Sequence, residues 1–288
     1  MTRARTSIDT RIPRRTLVAI ALCLLGAVAG CDHRAPERGA PSSAVGARAP
    51  SAATAPAGQP AETRDAPLAG TSAGIAWIEI VTGGARPGDT LPLIIGLHGL
   101  GGKPQTFLEV LAKFPGRARI VTMEAPTPHG RGFAWFQIVN HDIESEDAAK
   151  NIGEAADRLA TAIIALTHER PTAGLPILTG FSQGGAMTFA VAARHPEAIA
   201  AAFPLSGWLP PALVPSGAAP PSRPPIFAFH GTADERVPFA DGKGAVARLL
   251  AAGYRSELRE LPGMSHTVGA EERAELYQRI AASITPHP

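Results

Sequence analysis

A chain of 288 residues with 45% hydrophobic content is long enough for one large α/β domain or two small ones, and apolar enough to bury a core. Its formal charge of +2 conceals an asymmetry: residues 1–30 carry five arginines and one aspartate, while the remaining 258 residues hold 22 basic against 24 acidic side chains. The body therefore offers no basic, aromatic-rich stripe for nucleic acid, and two cysteines confined to positions 23 and 31 leave it no Cys nucleophile, disulfide or thiolate metal site.

In chain order the first feature is an export signal. An arginine-rich start precedes the apolar run LVAIALCLLGAVA at 17–29, too short to span a bilayer and suited to a signal h-region. Arg14-Arg15 also fits a twin-arginine signal. The run ends in Val28-Ala29-Gly30-Cys31, which resembles the lipobox of bacterial lipoproteins. That resemblance implies cleavage after Gly30 and lipidation of Cys31, hence a cell-envelope protein held on a membrane surface by a lipid anchor. Residues 31–73 are rich in Ala, Pro, Gly and Ser, and are expected to form a disordered tether.

From residue 74 to 288 the chain alternates apolar runs with helical periodicity, the pattern of a mostly parallel sheet covered by helices on both faces. Strands are expected at 75–81, 91–98, 118–124, 175–181, 199–206, 225–230 and 255–261. Helices are expected at 104–113, 146–168, 183–194, 240–252 and 271–284. In 146–168 the residues Ile152, Ala155, Ala156, Leu159, Ile163 and Leu166 recur at helical spacing.

The chemistry-bearing residues collect where predicted strands end. Gly180-Phe181-Ser182-Gln183-Gly184 fits the nucleophile elbow G-x-S-x-G. At this composition chance supplies roughly 0.14 such matches, so the motif needs support from elsewhere. A serine hydroxyl needs a base in reach, and the base an orienting carboxylate. Asp234 in HGTADERVP and His266 in PGMSH follow Ser182 in the order nucleophile, acid, histidine, each just past a strand. His98 and His230 also lie at strand ends but do not follow the acid. The oxyanion needs N–H donors, for which the residue after the nucleophile, Gln183, and Leu100 in the glycine-rich loop 98–102 are the candidates. No HExxH or other ligand spacing points to a metal, and no motif calls for a cofactor.

Together LHGLGG, GFSQGG, HGTADERVP and GMSH resemble the carboxylesterase/phospholipase family of α/β-hydrolases, which includes the acyl-protein thioesterases. The resemblance covers roughly residues 75–285. It implies an α/β-hydrolase fold and a cofactor-free serine esterase acting on a small-molecule or lipid ester. By matching position it gives Ser182, Asp234 and His266 as the triad, with Leu100 and Gln183 as oxyanion donors. GFAWFQI at 132–138 resembles the family's W-F-D stretch, with Gln137 where aspartate is usual. Gly102 replaces the acidic residue often found after the H-G-L-G turn. Trp135, Phe136 and Trp208 are expected to line an apolar acyl or aryl pocket beside the serine, and the long loop 207–224 to shape its rim. Other readings remain: a polyester or feruloyl esterase, a peptidase, or a surface lipoprotein that keeps the fold as a non-catalytic binding module.

Overall fold

The computed structural model describes residues 67–137, 142–216 and 223–284. The expected signal segment, Cys31, the expected tether up to residue 66 and part of the 207–224 loop lie outside the described residues.

Apolar runs with no polar alternation must be covered on both faces, and the central strands follow this rule. β3 (Leu93–Leu97), β4 (Ala118–Met123) and β8 (Ala201–Leu205) are buried at every position. They join β1 (Leu68–Ser72), β2 (Ile75–Thr82), β7 (Ile177–Phe181), β9 (Ile226–Gly231) and β10 (Ser256–Leu261) in one sheet of order β1-β2-β4-β3-β7-β8-β9-β10. From β4 through β10 neighbouring strands run parallel, and β1 and β2 add an antiparallel edge. β5 (Thr127–His129) and β6 (Gly132–Ala134) form a separate hairpin.

Among the described residues five α-helices cover the sheet. α1 (Pro104–Leu111) and α5 (Ala270–Ser283) send Phe107, Leu111, Leu276 and Ile280 into one core with Ile94, Ile120 and Phe203. α2 (Glu146–Glu169), α3 (Gln183–Arg194) and α4 (Phe239–Ala251) build the other core against Ile95, Leu97 and Leu178. α2 starts where Ser145 Oγ accepts the Ala148 N–H at 3.1 Å, with Glu146 and Asp147 in the first turn to complement the helix dipole.

The domain begins earlier than the composition of 31–73 suggests. β1 falls within the expected tether, because its backbone pairs with β2 from Leu68↔Glu79 to Ser72↔Ile75. A turn through Ala73 and Gly74, at φ 45° and 82°, closes the hairpin. Ser72 is buried, donating to Glu169 Oε2 at 2.6 Å and accepting from Trp77 Nε1 at 2.9 Å. Small polar residues sit there because an edge strand needs main-chain pairing more than apolar bulk. The seven expected strands and the five expected helices form within two residues of their expected ends.

Candidate active site

The carboxyl ends of β3, β7, β9 and β10 bring the motif loops together, as open parallel sheets do. Ser182 sits between β7 and α3 at φ 58° and ψ −116°, a strained conformation for a residue with a side chain. The surrounding structure holds it there: its N–H donates to Leu205 O and its carbonyl accepts from Ala186 N, both at 2.9 Å. A Cβ on Gly184 would lie 2.3 Å from Leu97 O, so only glycine lets α3 pack this closely on β3.

The hydroxyl leaving this turn meets His266. Ser182 Oγ lies 3.0 Å from His266 Nε2, and His266 Nδ1 lies 2.7 Å from Asp234 Oδ2. A carboxylate only accepts, so Nδ1 carries the proton and Nε2 is free to accept from the serine. The Phe181 ring flanks the imidazole, with centroids 4.6 Å apart. Asp234 Oδ1 accepts two main-chain N–H groups, from Arg236 and Val237, each at 2.9 Å. Burial acts to raise the pKa of Asp234, but the hydrogen bonds from His266, Val237 and Arg236 outweigh it and hold the carboxyl below its ordinary range.

The loop after β3 borders the serine, since a Cβ on Gly99 would lie 3.3 Å from Ser182 Cβ. The Leu100 N–H donates to no acceptor among the described residues. Gln183, first residue of α3, has no intrahelical acceptor for its N–H. The Gln183 amide thus lies beside the nucleophile at the positive end of α3, with the loop that carries the Leu100 amide alongside. Residues 98–102, α1, Phe181 and the 266–268 segment enclose a cleft of about 400 Å³. Thr106, Phe107, Val110 and Val268 give it a largely apolar wall.

Trp135, Phe136 and Trp208 do not line that cleft. They are 2%, 4% and 3% exposed and belong to the core beneath α2 and α3. This corrects the expectation that they contact substrate, and the reason is polar as much as apolar. The Gln183 side chain accepts from Trp135 N and donates to Phe136 O, both at 3.1 Å. Trp135 Nε1 donates to His98 O at 2.8 Å, and the Phe136 and Trp208 rings meet edge to face at 5.9 Å. The stretch 132–136 is therefore a brace for the site. The hairpin joins in: Gly101 N donates to Phe133 O at 2.8 Å and Phe133 N to Gly102 O at 3.0 Å. His98 completes it, giving its Nδ1 proton to Gly99 O at 2.8 Å and accepting from Ala125 N at 3.2 Å. Because Nε2 accepts that N–H it carries no proton, and burial lowers the pKa in the same sense.

The sheet order, the crossover helices and the strained serine at the strand–helix corner are those of an α/β-hydrolase fold. Residues 79–284 match the family described as phospholipase/carboxylesterase, and the chain belongs to it. A probable carboxylesterase of Oryza sativa subsp. japonica is 30% identical over 145 residues, 48% of this chain and 54% of that one. An acyl-protein thioesterase 1 homolog of Dictyostelium discoideum is 28% identical over 204 residues, 65% of this chain and 90% of that one. The match to the rice protein spans about half of that relative's length, and the match to the carboxylesterase SOBER1 of Arabidopsis thaliana 42%. Among solved structures, esterase PE8 superposes with a TM-score of 0.59 at 24% identity, covering 71% of this chain and 99% of that chain. SOBER1 superposes with 0.57 at 24% identity, covering 67% and 99%. At that identity the likeness speaks for the fold.

Proposed function

We propose that the chain is a serine carboxylic-ester hydrolase working through Ser182, His266 and Asp234. The observation that carries this is the continuous hydrogen-bond path from Ser182 Oγ through His266 to Asp234, at 3.0 and 2.7 Å. His266 Nε2 takes the hydroxyl proton as Ser182 Oγ attacks the ester carbonyl. The N–H groups of Leu100 and Gln183 receive the oxyanion. His266 returns the proton to the departing alcohol, leaving an acyl-serine. Water, activated by the same histidine, then releases the acid and restores the hydroxyl. Asp234 holds the tautomer that makes each transfer possible and stabilises the imidazolium between them.

The apolar wall of the cleft favours esters with an apolar acyl or alkyl group over strongly charged substrates. Family membership supports an ester over a peptide bond. The lipobox-like Val28-Ala29-Gly30-Cys31 supports a lipid anchor at Cys31 on the cell envelope; metabolic labelling with an alkyne fatty acid is expected for the full chain and absent in Cys31→Ser.

The test of the activity is hydrolysis of p-nitrophenyl esters from acetate to palmitate by the full chain beside Ser182→Ala and His266→Ala. Each variant is expected to lose roughly 10³-fold or more in kcat while staying folded. A fluorophosphonate probe is expected to label the wild type and not Ser182→Ala. Folded wild-type protein that neither labels nor exceeds the variants on any ester would return the fold to a binding role.

A further inference from the structure

His230 is the penultimate residue of β9 and lies four residues before Asp234. It is 1% exposed, and its Nε2 is 2.9 Å from Val237 O. A carbonyl oxygen only accepts, so Nε2 bears the proton. The same nitrogen is 3.4 Å from Asp234 Oδ2, the oxygen that receives His266 Nδ1 at 2.7 Å. On its other edge Nδ1 abuts α4, where a Cβ on Gly242 would lie 2.1 Å from it, and the Phe239 ring meets the imidazole edge-on at 5.9 Å. The ring thus fills a slot between β9, the acid loop and α4 that fits its shape.

The turn it grips is the one that orients the acid. Val237 gives its N–H to Asp234 Oδ1 and its carbonyl to His230, so one residue is pinned on both sides. Without the His230 proton the Val237 carbonyl would be buried and unpaired, and the turn would keep only the Asp234 N–H to Gly231 O bond as its tie to β9. The same Nε2 keeps the positive end of its N–H dipole 3.4 Å from Oδ2, beside the oxygen that receives His266 Nδ1. The ionisable groups facing His230 are Asp234, Asp241 of α4 and His266. With its one proton engaged by Val237 O, His230 is not placed to serve Ser182 as a base.

We propose that His230 is a positioning residue for the acid–base pair: a neutral imidazole whose Nε2–H ties the Asp234–Val237 turn to β9 and whose Nε2 lies beside the oxygen of Asp234 that His266 uses. This rests on the serine-hydrolase reading above. It assigns a role to the first residue of the HGTADERVP segment, beyond the acid that the segment carries.

The experiment begins with the wild-type full chain labelled with 15N-histidine. The His230 signals, assigned by their loss in His230→Gln, are expected to report the neutral Nε2–H tautomer. The Nδ1–H tautomer would overturn the proposal without any variant being active. His230→Gln, whose amide nitrogen reaches the Nε2 position, and His230→Leu, which has no donor, are then compared on a p-nitrophenyl ester. The Leu variant is expected to lose about tenfold or more in kcat with KM within about twofold. The Gln variant is expected to stay within about threefold of wild type. The downfield proton resonance of the His266–Asp234 hydrogen bond is expected to move in the Leu variant and hold in the Gln variant. A folded Leu variant with wild-type kcat and an unmoved resonance, or a Gln variant that falls as far as Leu, would sink the idea. Should the wild type hydrolyse no ester, the serine-hydrolase reading fails on its own, and the tautomer and the resonance still decide what His230 does.

Discussion

The indole N–H of Trp135 donates to the main-chain carbonyl of His98 at 2.8 Å, while the Trp135 main-chain N–H goes to the side chain of Gln183 at 3.1 Å. One buried tryptophan therefore ties together the two segments that carry the proposed oxyanion donors. Leu100 lies two residues beyond His98, and the other donor is the main-chain N–H of Gln183 itself. Oxyanion stabilisation depends on donors held in place before charge develops, since reorientation during the reaction would cost what the interaction gains.

Trp135→Phe tests this link. Phenylalanine keeps one aromatic ring but loses the second ring and the indole N–H, which opens a small cavity and leaves the His98 carbonyl short of a buried donor. The cost to stability is expected at about 1–3 kcal/mol, and the loss in kcat at roughly tenfold with KM little changed. Thermal melts and ester kinetics on the same preparation separate the two effects. Unchanged kcat alongside a lowered melting temperature would make the tryptophan a packing residue only.

Asp234→Asn keeps the shape of the side chain but can present an amide N–H to His266 Nδ1, favouring the wrong tautomer. A loss of about 10³ to 10⁴ in kcat is expected, by analogy with the same change in other Ser-His-Asp enzymes. The carboxyl is held below its ordinary pKa in the folded chain, so its contribution to stability is complete above the unfolded value and disappears as pH falls through the folded one. Acid unfolding of Asp234→Asn is accordingly expected to be less steep than that of the wild type below about pH 4, a comparison that circular dichroism can follow.

The proposed triad was legible because its chemistry imposes order and place. Ser182, Asp234 and His266 each follow an apolar run, and buried parallel strands announce themselves by composition. The brace was not legible. Trp135 and Phe136 stand near a motif and are large and apolar, which reads equally well as pocket or core. What decides is the pairing of Gln183 with the 135–136 backbone, a contact between residues 47 or 48 positions apart that leaves no periodic trace. β1 escaped for the opposite reason, since Leu68–Ser72 has the composition of the tether and becomes a strand only through pairing with β2. The hairpin Thr127–Ala134 is short, and its pairing with the 101–102 backbone is equally invisible before folding.

Glu272, 1% exposed in the first turn of α5, accepts the Gly269 N–H at 3.1 Å three residues beyond His266. Burial raises its pKa from the ordinary 4.5 to about 7, against a smaller opposing pull from that hydrogen bond. The folded chain therefore holds a proton that the unfolded chain has released between those values. Stability from this group falls as pH rises through that window and is flat above it, a loss of about 3 kcal/mol in all. Burial holds His98 and His230 below the usual histidine range, and they act in the reverse sense, destabilising the fold on acidification. The readout is thus the difference between wild type and Glu272→Gln. Urea unfolding at pH 5 and pH 8 is expected to show the variant gaining on the wild type by about 2–3 kcal/mol at the higher pH. A constant difference would mean that Glu272 titrates normally.

At the amino ends of the strands, away from the serine, Arg119 of β4 is wholly buried and paired with Glu79 of β2. Its other terminal nitrogen donates to Pro87 O at 2.8 Å and Asp89 O at 3.1 Å, and Arg170 completes Glu79 at 2.8 Å. The pair ties the antiparallel edge of the sheet to the 87–89 loop and the end of α2. Taking two charges out of water costs about as much as their attraction returns, so the pair itself adds little net stability. Breaking it is different, because one charge then stays buried without its partner. Glu79→Gln, which leaves the wholly buried Arg119 without a carboxylate, is expected to cost about 3–5 kcal/mol, and Arg119→Met less, since Arg170 still pairs with Glu79. The double variant Glu79→Gln/Arg119→Met is expected to cost less than the sum of the two, since it leaves no buried charge alone. Its kcat is expected to match the wild type, because no residue of the network touches the cleft. Additive losses in urea unfolding would mean that Arg119 acts mainly through the Pro87 and Asp89 carbonyls rather than through Glu79.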